Sequence, residues 1–384
     1  MTPARLASFE ILMAAERGHS IAPSLEQRRL QLSVPDAALA TELVYGTLRR
    51  RAQLDFLILH ASGRTRLPPD AEVVTALRLG AYQLRFLERI PPHAAVSESV
   101  DLVKRHGKSS AAGLVNALLR KLPPLPVSWP GDPTRLSIPA WLLDRWIRVW
   151  GHPAAAAAAE AALHPPPAFI RVPSSFGRPE NAEPTELNGC FKIAGMPPAG
   201  IRIQDIGSQW VGSLLAVEPG QTILDLCAAP GNKTAQALES HPALAVACDA
   251  SPSRLRAMAD SGWVRGARMV RLDASCPLPF GPVFDRILVD APCSGTGTLA
   301  RNPDIKWRLM ESDIARHAVR QKLILRNALQ CLKPGGRLVY STCSIEPEEN
   351  AEVVAEAAPG RQIEVLCRLP GRDPGDGFQA AVIT

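Results

Sequence analysis

Two cysteines of this 384-residue chain stand in short motifs of small residues, Asp290-Ala-Pro-Cys293-Ser-Gly295 and Ser341-Thr-Cys343-Ser344, each at the end of a predicted strand. A parallel α/β sheet gathers its ligands at the carboxyl ends of its strands, so two thiols 50 residues apart can meet over one substrate. Such a pair suits one demanding reaction. Pyrimidine C5 is a poor nucleophile toward a methyl sulfonium, but a thiolate that adds to C6 makes C5 enamine-like and able to take the methyl. The C5 proton must then leave and the thiol must be eliminated. One cysteine as nucleophile, a second acid/base group and an acid that polarises the ring cover these steps. Cys293, Cys343 and Asp290 are residues of the required types, and residue types alone do not say which thiol attacks. Of the other cysteines, Cys248 and Cys331 lie in apolar patterns and read as core. Cys227 reads as a small wall residue, and Cys190, Cys276 and Cys367 carry no motif.

A thiol needs a methyl donor beside it, and the turn Asp225-Leu-Cys-Ala-Ala-Pro-Gly-Asn-Lys-Thr234 follows an earlier strand of the same predicted sheet. Its small residues let the backbone approach a ligand, and the free amides of the helix that starts near Asn232 suit a carboxylate or phosphate. Neither G-x-G-x-x-G nor a P-loop is present. The next two strands end at Asp249 and Asp273, so acids stand at three successive strand ends. They describe an adenosyl pocket without pyrophosphate recognition, which fits S-adenosyl-L-methionine better than NAD.

These parts require a frame. From residue 200 onward short apolar strands (222–226, 245–248, 268–272, 286–289 and 337–340) alternate with helical stretches near 207–217, 232–240, 252–262, 311–331 and 347–356. The alternation predicts a mainly parallel, Rossmann-like α/β sheet covered on both faces. Ser251-Pro252 is a helix start, and Lys333-Pro-Gly-Gly336 predicts a turn. Residues 1–124 keep helical periodicity and predict an all-α bundle of about five helices with N-caps at Asp36 and Asp70. Between 125 and 199 prolines break the pattern, leaving a helix around Trp141–Trp150 and short strands near 168–172 and 191–193, a small α/β connector. The expected domains are therefore 1–124, 125–199 and 200–384.

Composition agrees with a multidomain soluble protein, 46% hydrophobic, without a signal peptide or an apolar stretch long enough for a bilayer. The eight cysteines show no C-x-x-C spacing, and no His pair stands at zinc-finger distance, so reduced cytosolic thiols and no metal are expected. The first 124 residues hold 17 basic against 11 acidic side chains, while the remainder balances at 26 against 26. The whole excess of positive charge thus lies in the predicted bundle, as a polyanion partner such as RNA would require, with Arg49-Arg50-Arg51 and Lys104-Arg105 with Lys108 as the densest patches.

At these motifs the chain resembles the RNA cytosine-5 methyltransferases of the NOL1/NOP2/Sun superfamily, and within it the bacterial enzymes that act on 16S ribosomal RNA. The resemblance covers nearly the whole length. It includes Ile203-Gln-Asp205 with Ser208-Gln209, the turn Asp225–Thr234, Asp290–Gly297, Arg301-Asn-Pro-Asp-Ile-Lys-Trp307, Ser341–Ser344, Glu348-Glu-Asn350 and Gly375-Asp-Gly-Phe378. The N-terminal bundle resembles the NusB RNA-binding fold through Glu42–Arg49, Leu77–Leu84 and Val115–Arg120. The resemblance implies that Cys227, Ala228, Ala229, Pro230, Gly231, Asn232 and Lys233 wrap the methionine part of S-adenosyl-L-methionine. It further implies that Asp249 contacts the ribose, that Asp273 lies by the adenine and that Asp290 faces both cofactor and base. It makes Cys343 the nucleophile and Cys293 the cysteine that assists product release. One departure is Asn232, where the family has a second glycine; if that position needs a positive φ, Asn is the least costly substitute. Lys306 is a candidate cation to activate Cys343.

The function expected is methylation of C5 of a cytidine in 16S ribosomal RNA by a cytoplasmic, monomeric enzyme without membrane contact. The competing reading is a non-catalytic NusB-like RNA-binding factor on a degenerate scaffold, which intact acids and thiols oppose. A nicotinamide dehydrogenase lacks its glycine fingerprint.

Overall fold

The structure, a computed structural model, describes residues 1–173 and 176–384. The chain forms two compact units, one of residues 1–164 with 302–308 and one of residues 165–301 with 309–384.

The first unit is all-α. Residues 1–124 form seven α-helices among the described residues, Pro3–Glu16, Ile21–Arg29, Val34–Arg49, Arg51–Ser62, Ala71–Phe86, Pro92–Arg105 and Ala112–Lys121. The excess over five has a local cause. Helices 34–49 and 51–62 meet at Arg50 (φ −107°) without a proline or glycine to mark the joint, and helix 21–29 buries only Ile21 and Leu25. Ser33, not Asp36, is the N-cap of helix 34–49, its Oγ accepting from the Asp36 amide at 3.3 Å. Asp70 does occupy an N-cap position, but its carboxylate takes the Lys108 ammonium instead of helix amides. Phe9, Leu43, Leu54, Leu57, Ile58, Leu77 and Leu79 fill the core. The arginine cluster is packed, not displayed: Arg49 lies over Tyr45, Arg50 over Phe86 and Arg51 over Trp307, and burial lowers the pKa of all three. Lys104, Arg105, Arg120 and Lys121 are the exposed cations at the ends of the last two helices. Trp146, predicted as packing, is buried on helix Ala140–Trp150.

The second unit opens with a small antiparallel sheet of β1 (Ala168–Arg171), β2 (Ala182–Pro184), β3 (Cys190–Ile193) and β4 (Arg202–Ile203) in the order β2-β3-β1-β4. A seven-stranded sheet follows, made of β5 (Thr222–Leu226), β6 (Leu244–Asp249), β7 (Ala267–Arg271), β8 (Phe284–Asp290), β9 (Leu332–Thr342), β10 (Ile363–Arg368) and β11 (Phe378–Ile383). Its order is β10-β11-β9-β8-β5-β6-β7. Strands β5 to β9 pair in parallel, whereas β11 is antiparallel to both β9 and β10. The Rossmann-like expectation holds, with two corrections. The antiparallel strands β11 and β10, the latter at the edge, were not predicted, and Lys333–Gly336, expected as a turn, is the entry of β9. Strand order reverses between β5 and β8, and a reversal of this kind leaves a crevice at the carboxyl ends of those strands.

The segment Asn302–Arg308 leaves the sheet unit and belongs to the helical one. Trp307 packs against the helical core and its indole N–H donates to the Leu48 carbonyl at 2.7 Å; Lys306 Nζ donates to the Arg49 carbonyl at 2.9 Å. Lys306 is therefore not the cation of the thiol site. It is 1% exposed, and burial, with the neighbouring Arg49 and Arg50 charges, lowers its pKa to about 7. As pH falls from about 10 through about 7, the unfolded chain takes up a proton that the folded chain refuses, so folding loses stability in that window. Lys306→Met is expected to stabilise the helical unit more at about pH 6 than at about pH 9, read as slowed hydrogen exchange of the amides of residues 34–62. An equal effect at the two pH values would reject the buried-amine account.

Candidate active site

The thiols meet because two neighbouring strands end together. β8 and β9 pair in parallel with Asp290 opposite Ser341, so the chain leaves both strands at one edge of the sheet within a few residues of each cysteine. Cys293 Sγ and Cys343 Sγ lie 3.2 Å apart, within hydrogen-bond distance, and both residues are partly exposed. The loops that carry them touch through backbone: the Gly297 amide donates to the Cys343 carbonyl at 2.9 Å, and the Gly377 amide donates to the Gly297 carbonyl at 2.8 Å. Gly297 has no room for a side chain, since a Cβ there would stand 2.3 Å from the Gly377 carbonyl oxygen.

Three of the resemblance motifs join in one ion network, two buried acids around a partly exposed arginine. Arg301 Nε donates to Asp376 at 2.8 Å and its Nη2 to Asp205 at 3.0 Å, while the Asp376 amide donates to Asp205 at 3.2 Å. Asp205 also caps helix Ile206–Leu214 through the Gly207 amide. Burial and the Asp205 charge push Asp376 up to about 6 against the opposing pull of Arg301.

Asp290 is anchored from two sides, by Lys233 Nζ at 2.7 Å and the Ser341 hydroxyl at 3.0 Å. Lys233 is nearly buried and lies over the Phe378 ring. Lys233, in the first turn of the helix that Asn232 opens, thus fixes the orientation of Asp290, a link that the sequence motifs did not show.

Along the carboxyl ends of β5, β6 and β7 runs a cavity of about 220 Å³ lined by Cys227, Asp249, Ser251, Arg254, Leu272, Asp273, Pro292 and Arg320, with Ala250 and Ala274. Small apolar groups face acids across it, a composition that fits an adenosyl group: carboxylates for hydroxyl and amino donors, aliphatic surface for a flat ring. Cys227 takes a left-handed φ of 64°, unusual without a glycine and found where surroundings over-determine the backbone. Asp249 accepts from the Ala229 and Ser251 amides, and Arg254 pairs with it at 3.3 Å. Asp273, half exposed, accepts from Ser275 and pairs with Arg320. Asn232 departs from the expected difficulty: the left-handed residue is Gly231 (φ 101°), and Asn232 opens the following helix. Ala228, Ala229 and Pro230 form the turn between the cavity and that helix.

A seven-stranded Rossmann-like sheet with this cavity at its switch point defines a methyltransferase domain, here in one chain with an all-helical domain. The family described as 16S rRNA methyltransferase RsmB/F matches residues 212–379, and the NusB family matches residues 2–123. The chain is 33% identical to the ribosomal RNA small subunit methyltransferase B of Cronobacter sakazakii over 97% of its own length and 96% of that protein's. It belongs to the RsmB/F methyltransferase family. Among solved structures it is similar to that of PH0851, with a TM-score of 0.81 at 22% identity over 100% of this chain and 99% of that one. It is also similar to NSun6 from Pyrococcus horikoshii, solved with SFG, with a TM-score of 0.56 at 19% identity over 64% of this chain and 97% of that one. Both share the fold. S-adenosyl-L-methionine is the cofactor that goes with this family, as the strand-end acids led us to expect.

Asp225, the first of those acids, does not line the cavity but lies beneath the turn. It is buried; Thr234 donates to one carboxylate oxygen and the other has no hydrogen-bond partner. Burial, reinforced by the Asp290 and Asp249 charges, pushes it up to about 7. Between about pH 4 and about pH 7 the unfolded chain ionises this carboxyl while the folded chain holds its proton, so stability falls as pH rises through that window and stays low above it. Asp225→Asn, which keeps an acceptor for Thr234, is expected to raise the melting temperature at about pH 8 by roughly 2–4 °C, and by less at about pH 5. A gain independent of pH would contradict the proposed titration.

Proposed function

We propose that the protein methylates C5 of a cytidine in small-subunit ribosomal RNA through a covalent adduct between Cys343 and C6 of the base. The observation that carries this reading is the 3.2 Å approach of two thiols at the ends of adjacent strands, beside an anchored carboxylate. The Cys343 thiolate forms the Sγ–C6 bond, and the C5=C6 electron pair shifts into the ring to leave C5 nucleophilic. Asp290, held by Lys233 and Ser341, is the acid that polarises the ring. S-adenosyl-L-methionine, when bound, supplies an electrophilic methyl group for C5. Cys227 to Lys233 with Asp249 and Asp273 are the residues that would hold it. Cys293, hydrogen-bonded to Cys343, assists release: the C5 proton passes to solvent water, the C5–H electron pair restores C5=C6, and the C6–S bond breaks with its pair returning to sulfur as the Cys343 thiolate.

The NusB-like residues 1–124 and the small sheet within 125–199 are the parts assigned to RNA docking, with 200–384 as the catalytic domain. A base buried in a duplex is out of reach of sheet-end thiols, so the target must be single-stranded or extruded. No helix among the described residues is long and apolar enough to cross a membrane; from its ribosomal RNA methyltransferase relatives we assign the enzyme to the cytoplasm.

Cys343→Ala is expected to abolish methylation. Cys293→Ala is expected to accumulate an RNA–protein adduct that survives a denaturing gel. Bisulfite mapping of small-subunit RNA from cells lacking the protein should lose one 5-methylcytidine. Full activity in both variants would defeat the covalent reading.

A further inference from the structure

The two thiols sit on separate loops, and neither loop is regular structure, so something must hold their sulfurs at 3.2 Å. The residues that do so are adjacent in sequence and on neither loop. Glu349 is fully buried and reaches the cysteine 293 side: its carboxylate accepts from the Ser294 amide at 2.8 Å, from the Ser294 hydroxyl in a short bond, and from Gln321 Nε2 at 3.2 Å. Asn350, 4% exposed, reaches the cysteine 343 side. Its amide nitrogen donates to the Ser344 carbonyl at 3.1 Å and the Glu346 carbonyl at 2.8 Å, and its oxygen accepts from the Thr342 hydroxyl at 2.7 Å. Between them the Ser294 hydroxyl meets the Ser344 hydroxyl at 3.1 Å, joining the residues that follow the two cysteines. The Tyr340 hydroxyl donates to the Glu349 carbonyl at 2.6 Å and ties the dipeptide to β9.

We propose that Glu349 and Asn350 are positioning residues for the thiol pair, each clamping one cysteine loop, and that the Glu349 carboxylate makes the two thiols unequal by placing its charge on the Cys293 side. The inference rests on the two-thiol reading given above. A buried carboxylate bound to the residue next to Cys293 opposes a second negative charge there, in a low-dielectric site where such repulsion is poorly screened. The Cys293 thiol is in fact held well above its ordinary pKa, first by its hydrogen bond to Cys343, then by burial, then by the Cys343 and Glu349 charges. The titratable groups that act on Cys293 or feel it are Cys343 from the loop after β9, Tyr340 from β9 and Glu349 from the turn at 347–349. Cys293 therefore holds its proton more firmly than an ordinary thiol, on the side where the Glu349 carboxylate stands.

Two measurements on the intact chain test this without RNA, so they can succeed or fail independently of the methylation reading. Phenylarsine oxide condenses with two close thiols and releases water; capture is mapped to the Cys293 and Cys343 peptides by mass spectrometry. Asn350→Asp, which removes the donor to Ser344 and Glu346, is expected to slow capture at least tenfold against wild type. Should that variant fail to fold, Thr342→Val removes the other side of the same contact and is expected to act in the same direction. The second measurement is the pH dependence of Cys293 alkylation by iodoacetamide, compared between Cys343→Ser and the double variant Cys343→Ser/Glu349→Gln. Loss of the Glu349 charge is expected to move the Cys293 profile to lower pH by roughly one unit, while exposed Cys276 stays unmoved as the internal control. Wild-type capture rates in the folded Asn350 and Thr342 variants would overturn the clamp. An unmoved Cys293 profile would overturn the inequality of the thiols. Failure of bisulfite mapping with both effects present would reject the cytidine reading and leave the clamp standing.

Discussion

The site depends on the register of β8 against β9. With Asp290 opposite Ser341 in a parallel pair, an acid, a hydroxyl and two thiols are delivered to one edge of the sheet. A slip of one residue would send alternate side chains to the other face, since strand side chains alternate with period two. The register is protected by burial on both faces: Ile287, Leu288, Val289, Leu338, Val339 and Tyr340 are all nearly inaccessible, so any slip would expose core or bury loop. Everything nearer the chemistry is hung on that pair. Lys233 comes from the start of the helix after β5 to hold Asp290, and the 349–350 dipeptide comes from beyond β9 to hold the loops.

Buried charge is concentrated where the chain must be held in one arrangement. Arg301 joins Asp205 and Asp376, residues from three distant segments, and immediately after Arg301 the chain passes into the helical unit to bury Lys306. Asp205 and Asp376 are buried while Arg301 keeps part of its side chain in solvent, and removing the arginine would leave two uncompensated buried acids, so the network penalises alternative packing. That cost is reasonable in a protein whose loops carry the reacting groups. Asp225 is a related case: a buried carboxyl below the turn that follows β5, with one oxygen bound by Thr234 and the other without a partner, retained at a cost to folding at neutral pH.

Much of this was legible in advance. The strand–helix alternation identified the sheet, and the thiol motifs with Asp249 and Asp273 stand at its carboxyl edge, where parallel sheets present their ligands, whereas Asp225 lies beneath the turn. The antiparallel strands β10 and β11 were not foreseen; Phe378–Ile383 is buried throughout and lacks the alternation that marks a half-exposed strand. Arg49-Arg50-Arg51 read as a displayed basic patch and proved packed against aromatic rings, which composition cannot distinguish. Lys306 read as a cation for the thiols and serves the helical unit, because linear proximity to a motif says nothing about which unit a short helix joins.

Local chemistry was written in the chain itself: which residues can attack, which can hold an adenosyl group, where strands end and where helices start. These depend on residue type and on spacing over a few positions. The partnerships among them were settled only by tertiary structure: Lys233 with Asp290, Glu349 with Ser294, Asn350 with Ser344, Arg301 with two acids, and the meeting of the sulfurs. Each joins residues whose contact follows from strand order and register, long-range properties that arise when the whole core packs and that no short window of sequence contains.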